Sequence, residues 1–186
     1  MLCVIFGIPG VGKTTVLKEV IKLVDISRIN FGDVMFEQAQ KRGLASDRDD
    51  MRKLPKKVQT ELQQNAAEWI HNEAEAGGDI IVDTHASVRT PNGYLPGLPE
   101  PVRIALDPDA LVLIECDSKD ILGRRDKDKS RQRDADLLEE IEEHQLIDRC
   151  YAAIYSDLTN CTLLIAKNEE GKAKEAGERI ASIFEK

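Results

Sequence analysis

The sequence predicts an α/β fold in which helices cover both faces of a parallel sheet. Short apolar runs at 2–6, 80–82, 111–114 and 162–166 have the length and continuous apolar character of buried parallel strands. Long segments with helical periodicity separate these runs, and that alternation favours parallel strands joined by crossover helices. A length of 186 residues fits one domain with small appendages.

The composition excludes several classes of protein. A formal net charge of -8 argues against general binding to a nucleic-acid backbone. The apolar runs are shorter than the roughly 18 residues that a membrane-spanning helix needs, so no membrane partner is expected. The four cysteines lack CxxC spacing, which predicts neither zinc nor a disulfide framework. Without a basic leader or a cleavage site after Met1, we expect a cytoplasmic protein.

A glycine-rich loop follows the first strand and precedes a helix over 13–24. It satisfies the pattern G-x-x-x-x-G-K-[ST], whose backbone N–H groups cradle the phosphates of a nucleoside triphosphate. Lys13 is predicted to neutralise the β and γ phosphates, and the Thr14 hydroxyl to bind Mg²⁺. The alternative is a plain strand-to-helix turn, which four fixed residue types in this context disfavour. The loop residues are Gly7, Ile8, Pro9, Gly10, Val11, Gly12, Lys13 and Thr14.

Asp83 ends the apolar strand at 80–82. At the carboxyl edge of a parallel sheet it is expected beside the phosphate loop, where it could hold Mg²⁺ directly or through water. An aspartate in this position is also common as a simple turn residue. The neighbouring loop favours the metal role.

A polar, helical region at 30–76 is predicted to be an insertion in the fold. Arg48 and Arg52 are four residues apart, so on one helix face they could grip a second phosphate, with Arg89 reaching the same place from the sheet. Surface ion pairs with the neighbouring aspartates are the alternative, and spacing alone favours that alternative. The stretch at 90–101, rich in glycine and proline, is predicted to be a loop.

A basic segment lies between Gly123 and Asp134. Arg131 and Arg133 would point the same way if the chain is extended, which favours a mobile lid closing over the donor. A solvated loop is the alternative. A helix over about 136–158 follows, and another is expected after Gly171. The predicted apolar face of the longer helix comprises Leu137, Ile141, Ile147, Tyr151, Ile154 and Leu158.

Several stretches together resemble the archaeal-type adenylate kinases. The resemblance spans nearly the whole chain, and the Asp-Arg-Asp and proline-rich stretches are far more specific than the phosphate loop. The stretches are Gly7 to Thr15, Asn30 to Asp33, Asp47 to Leu54, Val82 to His85, Thr90 to Pro99, Arg131 to Asp134 and Glu143 to Gln145.

The resemblance implies reversible phosphoryl transfer from MgATP to AMP on a three-layer P-loop NTPase fold. The implied parts are an AMP-binding insertion over about 31–76, a short lid over about 124–134 and a homo-oligomer, commonly a trimer. The implied ATP site extends the loop to Thr15. In the implied AMP site Arg52 and Arg89 hold the phosphate, and Asp33 and Arg48 lie in the matching motifs. Arg124 joins Arg131 and Arg133 in the lid chemistry.

One departure from this family is a short connection between the phosphate loop and the insertion. Only fourteen residues separate Thr15 from Asn30, which predicts a trimmed first helix and second strand. The sequence leaves open a kinase for another monophosphate or a small alcohol. A P-loop ATPase acting with a partner also stays open, whereas the guanine signature N-K-x-D of a GTP switch is absent from the sequence.

Overall fold

The computed structural model describes residues 1–127 and 138–185. The strands are β1 (Leu2–Phe6), β2 (Ile26–Asn30), β3 (Asp79–Asp83), β4 (Ser87–Thr90), β5 (Gly93–Pro96), β6 (Ala110–Glu115) and β7 (Thr162–Lys167). The helices are α1 (Lys13–Leu23), α2 (Phe31–Lys41), α3 (Arg48–Lys53), α4 (Lys56–Glu75), α5 (Glu100–Leu106), α6 (Ser118–Lys127), α7 (Leu138–Thr159) and α8 (Ala173–Ala181).

A parallel sheet forms the centre of the molecule, with the strand order β2-β3-β1-β6-β7. Val4 of β1 lies in register with Val82 of β3 on one side and with Leu111 of β6 on the other. The four strands that continuous apolar runs predicted are all present, and the three-layer α/β fold is confirmed. β2, which joins them at one edge, is mostly polar, and no apolar run marks it.

Alternation along the strands divides the core between the two faces of the sheet. Residues such as Ile5 and Ile81 pack against α1 and α8 on one face. Residues such as Val4 and Val82 pack against α4, α5 and α7 on the other. Every residue of β1 is buried, because both faces of the central strand are covered.

Residues 31–75 form helices α2, α3 and α4, as the polar, helical character of this region predicts. They have a small apolar cluster of their own, in which Ala39, Met51 and Leu62 are buried. The chain reaches this region through an eleven-residue α1 and a five-residue β2. Both elements are short, in agreement with the fourteen-residue connection.

The prediction of a loop at 90–101 is wrong. β4 and β5 form an antiparallel hairpin, in which Arg89 faces Tyr94 across the pair, and α5 begins at Glu100. A Cβ atom on Gly97 would lie 1.8 Å from the His85 carbonyl oxygen. The glycine therefore permits a close backbone approach, with Gly97 N–H donating to the Ala86 carbonyl over 2.8 Å. Composition indicated turns correctly but did not reveal the pairing between them.

The predicted apolar face of α7 is also wrong in part. Ile154 and Leu158 are 51% and 54% exposed, whereas Ile141 is buried as predicted. Leu137 lies outside the described residues. The prediction failed because it assumed that only apolar side chains face the core, while two polar residues of α7 are buried in contact with the β4–β5 hairpin. The buried stripe consists of Ile141, His144, Asp148, Ala152 and Tyr155.

In the described part of the chain, no helix combines the length and the apolar character that crossing a membrane requires.

Candidate functional site

The phosphate loop joins the buried β1 to the first turn of α1. Gly10 and Gly12 both have a φ of 91°, in the left-handed region that glycine adopts without strain. A Cβ atom on Gly12 would lie 2.4 Å from the Asn168 amide nitrogen. Glycine at position 12 is therefore required both by the backbone conformation and by this neighbour.

Side chains from two distant segments hold the carbonyl groups of the loop. Asn168, just after β7, donates to the Val11 carbonyl over 2.8 Å, and Arg124 donates to the same carbonyl over 3.1 Å. Arg125 donates from Nε to the Pro9 carbonyl over 2.9 Å. In a trans peptide the N–H points opposite to the carbonyl, so the following N–H groups point away from these side chains. This orientation leaves them available to an anion.

Lys13 is held at the floor of the loop. Its Nζ donates to the carbonyls of Gly7 and Thr84 over 2.8 and 2.7 Å, and lies 3.4 Å from Asp83 Oδ1. Burial lowers the pKa of Lys13, while the charge of Asp83 opposes that effect. The first turn of α1 exposes Thr14 and Thr15 beside it. A cationic group and exposed hydroxyls thus meet at the start of the helix, where anions are favoured.

Asp83 lies at the carboxyl end of β3, beside the loop as its position in sequence predicts. Its side chain is 6% exposed and accepts a hydrogen bond from Arg28 Nη2 over 2.6 Å. The Asp83 carboxylate and the exposed hydroxyl of Thr14, the residue after Lys13, are hard oxygen donors of the kind that suits Mg²⁺. These residues fit the metal that the sequence predicts.

His85 is a further neighbour of Lys13. Its Nδ1 is 3.3 Å from Lys13 Nζ and 3.2 Å from the Gly7 carbonyl oxygen. Burial and the charge of Lys13 lower the pKa of His85 to about 4. The imidazole is therefore neutral near pH 7 and adds no second positive charge to the floor of the loop.

The arginines of the helical insertion form ion pairs with neighbouring carboxylates. Arg48, at the start of α3, pairs with Asp33 of α2. Arg52 Nη1 lies 2.7 Å from Asp49 Oδ1, and both side chains are at least 70% exposed. Arg52 therefore pairs with one of the neighbouring aspartates, as spacing favoured, whereas Arg48 pairs with an aspartate of another helix. Their exposure leaves both guanidinium groups able to exchange partners.

Arg89 projects from β4 toward the start of α7. Its guanidinium makes a two-pronged contact with Glu140, over 2.6 and 3.2 Å. The hairpin that carries it is attached to α7 by buried bonds: Ser87 N–H donates to Asp148 Oδ1 over 2.9 Å, and Tyr155 Oη donates to the Ala86 carbonyl over 2.9 Å. Burial raises the pKa of Asp148 to about 6.

Of the predicted lid, the described part contains Arg124 at the phosphate loop. Arg124 also donates from Nη2 to the Asn168 carbonyl over 3.3 Å, so it links the loop to the segment after β7. Arg131 and Arg133 lie outside the described residues. Among the residues that are described, no group of three or more His, Cys, Asp or Glu side chains could hold a metal ion.

Sequence reasoning missed several residues that contact the loop or Asp83. These residues are Arg28, His85, Arg125 and Asn168. Asp148, which anchors the hairpin through Ser87, was missed as well. A signal existed for Asn168, because it follows an apolar strand just as Asp83 does, and carboxyl ends of parallel strands meet at one edge. Arg28 sits in a polar strand and Asp148 within a helix, where spacing alone gives no such signal.

Comparisons with known proteins agree with this geometry. A family model described as an AAA domain matches residues 6–142. An adenylate kinase of Thermoplasma acidophilum is 48% identical over 184 residues, covering 99% of this chain and 98% of the relative. One of Methanopyrus kandleri is 49% identical over 172 residues, covering 91% and 90%. A solved shikimate kinase from Bacteroides thetaiotaomicron, 14% identical with a TM-score of 0.59 and covering 100% and 99%, shares the fold. The chain belongs to the adenylate kinase family.

Proposed function

We propose that this protein transfers the γ-phosphoryl group of ATP to AMP, reversibly, to give two ADP. The observation that carries the proposal is the meeting of the phosphate loop, Lys13 and Asp83 at one sheet edge, in a chain of the adenylate kinase family. The relatives named adenylate kinase match over 99% and 91% of this chain.

The donor site consists of the loop at 7–12 together with Lys13, Thr14 and Thr15. The N–H groups of the loop and the start of α1 bind the phosphates of ATP. Lys13 reaches the β and γ phosphates by exchanging one of its two carbonyl partners for a phosphate oxygen. The loop itself needs no rearrangement for this step, because Asn168, Arg124 and Arg125 already fix its carbonyls.

Thr14 and Asp83 hold Mg²⁺ in this proposal. When bound with ATP, Mg²⁺ neutralises charge on the β and γ phosphates. Both residues supply oxygen ligands, the kind that Mg²⁺ prefers. The proposal includes no zinc, because Thr14 and Asp83 offer oxygen ligands rather than the cysteine and histidine ligands typical of zinc sites.

The acceptor site lies on the insertion at 31–76 and the adjacent hairpin. Arg52 and Arg89 bind the AMP phosphate, and Asp33 and Arg48 position the surrounding helices. Each arginine gives up an exposed carboxylate partner for a doubly charged phosphate, which favours the exchange. Fixing this phosphate orients the AMP oxygen for attack, and positioning is the main requirement of phosphoryl transfer.

The segment at 124–134 acts as a lid over the donor within the single domain 1–186. Arg124 carries the movement of the lid to the phosphate loop, and Arg131 and Arg133 neutralise charge on the transferred group. The protein works in the cytoplasm as a homotrimer. Light scattering tests the oligomer directly: a particle mass of three chains supports this part, and a mass of one chain refutes it.

The decisive experiment is steady-state turnover with MgATP and each of AMP, CMP, UMP and GMP, beside a reaction without acceptor. ADP formation that is selective for AMP supports the proposal. Selectivity for another monophosphate assigns the same site to a different acceptor. Hydrolysis that is indifferent to every acceptor identifies an ATPase that works with a partner and refutes the proposal.

A further inference from the structure

Arg28 is a cation on the outermost strand of the sheet, next to the strand that carries Asp83. In the register of β2 and β3, Arg28 faces Ile81 and Asn30 faces Asp83. In-register residues of parallel strands point to the same side of a sheet, so Arg28 shares a face with Ile81. Asp83 lies two residues beyond Ile81 in β3 and therefore points to that face as well. The Arg28 side chain extends along that face to the carboxylate.

The two oxygens of Asp83 have two different cationic partners. Oδ2 accepts from Arg28 over 2.6 Å, and Oδ1 lies 3.4 Å from Lys13 Nζ. With the carboxylate only 6% exposed, little room is left for water to screen these charges. A divalent cation that approaches Asp83 would therefore be repelled by Arg28 and Lys13, whose positive charges already neutralise the carboxylate.

The two partners differ in what else holds them. Lys13 is anchored by the carbonyls of Gly7 and Thr84. For the Arg28 side chain, Asp83 supplies the hydrogen bond and the ion pair found within the described residues. The Arg28 side chain is 29% exposed and sits at the sheet edge, so it can swing into solvent.

We propose that Arg28 competes with the divalent cation for the Asp83 carboxylate. The inference rests on the proposed metal role of Asp83 and deepens it. Arg28 neutralises Asp83 until metal and triphosphate arrive together, and then leaves the carboxylate. Metal alone is consequently bound weakly, since it must displace Arg28 without the attraction of phosphate oxygens. With triphosphate present, the added negative charge favours the exchange.

The test measures Mn²⁺ binding to the whole chain, by the electron paramagnetic resonance of free Mn²⁺, with and without a non-hydrolysable ATP analogue. Arg28→Met removes the charge and keeps an unbranched side chain. It should tighten Mn²⁺ binding about tenfold, as expected for deleting one unit charge close to a shielded carboxylate. Arg28→Lys should stay within about threefold of wild type, because it restores the charge.

Arg42→Met is the matched control. It also removes one arginine from an ion pair, with Glu61 at 3.1 Å, but lies in the insertion away from Asp83. Its Mn²⁺ affinity should equal that of wild type, because distant exposed charges are screened. Tightening of equal size in Arg42→Met would trace the effect to net charge and overturn the proposal.

Asp83→Asn separates failure of the inference from failure of the metal site. If Asp83→Asn binds Mn²⁺ as wild type does, Asp83 is not a metal ligand. The proposed metal role of Asp83 and the competition by Arg28 are then both refuted. If Asp83→Asn weakens binding while Arg28→Met leaves it unchanged or weaker, the metal site stands and the competition is refuted. Should Arg28→Met fail to fold, Arg28→Gln is judged by the same criteria.

Discussion

The phosphate loop and the arginines of the proposed acceptor site are proposed to bind the same kind of group, but the structure holds them in different ways. The loop is fixed by bonds from two distant segments, α6 and the residue after β7, and Lys13 donates to two backbone carbonyls. Arg52 and Arg89 pair at the surface with the carboxylates of Asp49 and Glu140. Exposed pairs of this kind contribute at most about 1 kcal/mol each. The phosphate loop is therefore held in place before any ligand binds, whereas Arg52 and Arg89 would have to exchange carboxylate partners to bind the proposed phosphate.

Lys13→Ala is the strongest test of the phosphate loop. It removes the positive charge that is proposed to neutralise the β and γ phosphates, so kcat should fall by about 10²-fold or more. Rapid-quench and steady-state turnover measure the change. Lys22→Ala, on the exposed face of the same helix, is the control and should keep wild-type kcat. Turnover of Lys13→Ala within about tenfold of wild type would refute the assigned site.

Gly12→Ala tests how tightly the loop is held. The positive φ and the Asn168 amide both oppose a methyl group here, so the free energy of unfolding should fall by about 2–3 kcal/mol. Chemical denaturation measures this. Gly43→Ala is the matched control, because Gly43 has a φ of 66° but nothing within 4 Å of the added Cβ. Equal decreases in the free energy of unfolding in the two variants would show that the contact between the added methyl group and Asn168 does not destabilise the protein.

Arg52→Ala tests the acceptor side. Loss of a phosphate contact should raise KM for AMP about tenfold, equivalent to about 1.4 kcal/mol, and leave KM for ATP unchanged. The free energy of unfolding should change by less than about 1 kcal/mol, because the pair with Asp49 is exposed. Lys53→Ala, the neighbouring exposed cation, provides the control. A rise in KM for ATP equal to that for AMP would contradict separate sites.

The pH dependence of stability tests how the hairpin that carries Arg89 is held, because Asp148 anchors that hairpin. Its folded pKa of about 6 lies above the ordinary 3.8, so the folded chain retains a proton that the unfolded chain has lost. Stability from this group is present below pH 3.8 and lost as pH rises through 6. Between about pH 5 and about pH 6 the loss should be about 1 kcal/mol.

Asp148→Asn should remove that pH dependence, since the amide keeps an oxygen for Ser87 and does not titrate. Thermal denaturation of both proteins across this range measures the difference. Parallel pH profiles would show that Asp148 titrates near its ordinary pKa despite burial.

The sequence predicts the layered fold and the loop because both depend on local pattern. Continuous apolar runs marked β1, β3, β6 and β7, and the glycines at 10 and 12 sit where only a special backbone conformation serves. The sequence did not predict β2 because this edge strand is less buried than the central strands and carries polar residues such as Ser27 and Arg28. Asp148 escaped because its burial depends on Ser87, 61 residues away, and no local pattern encodes that pairing.

The helix α4 passes from one apolar cluster to another along its 20 residues. Its first half, with Leu62, belongs to the small cluster of the insertion, and its second half, with Ala66, Ala67 and Ile70, belongs to the main core. The backbone amides of this one helix are therefore protected from hydrogen exchange by two different clusters, the small one of the insertion and the larger main core. The first half of α4 can unfold locally together with α2 and α3 while the second half stays folded. The boundary between two cooperative units then falls inside a helix rather than in a loop.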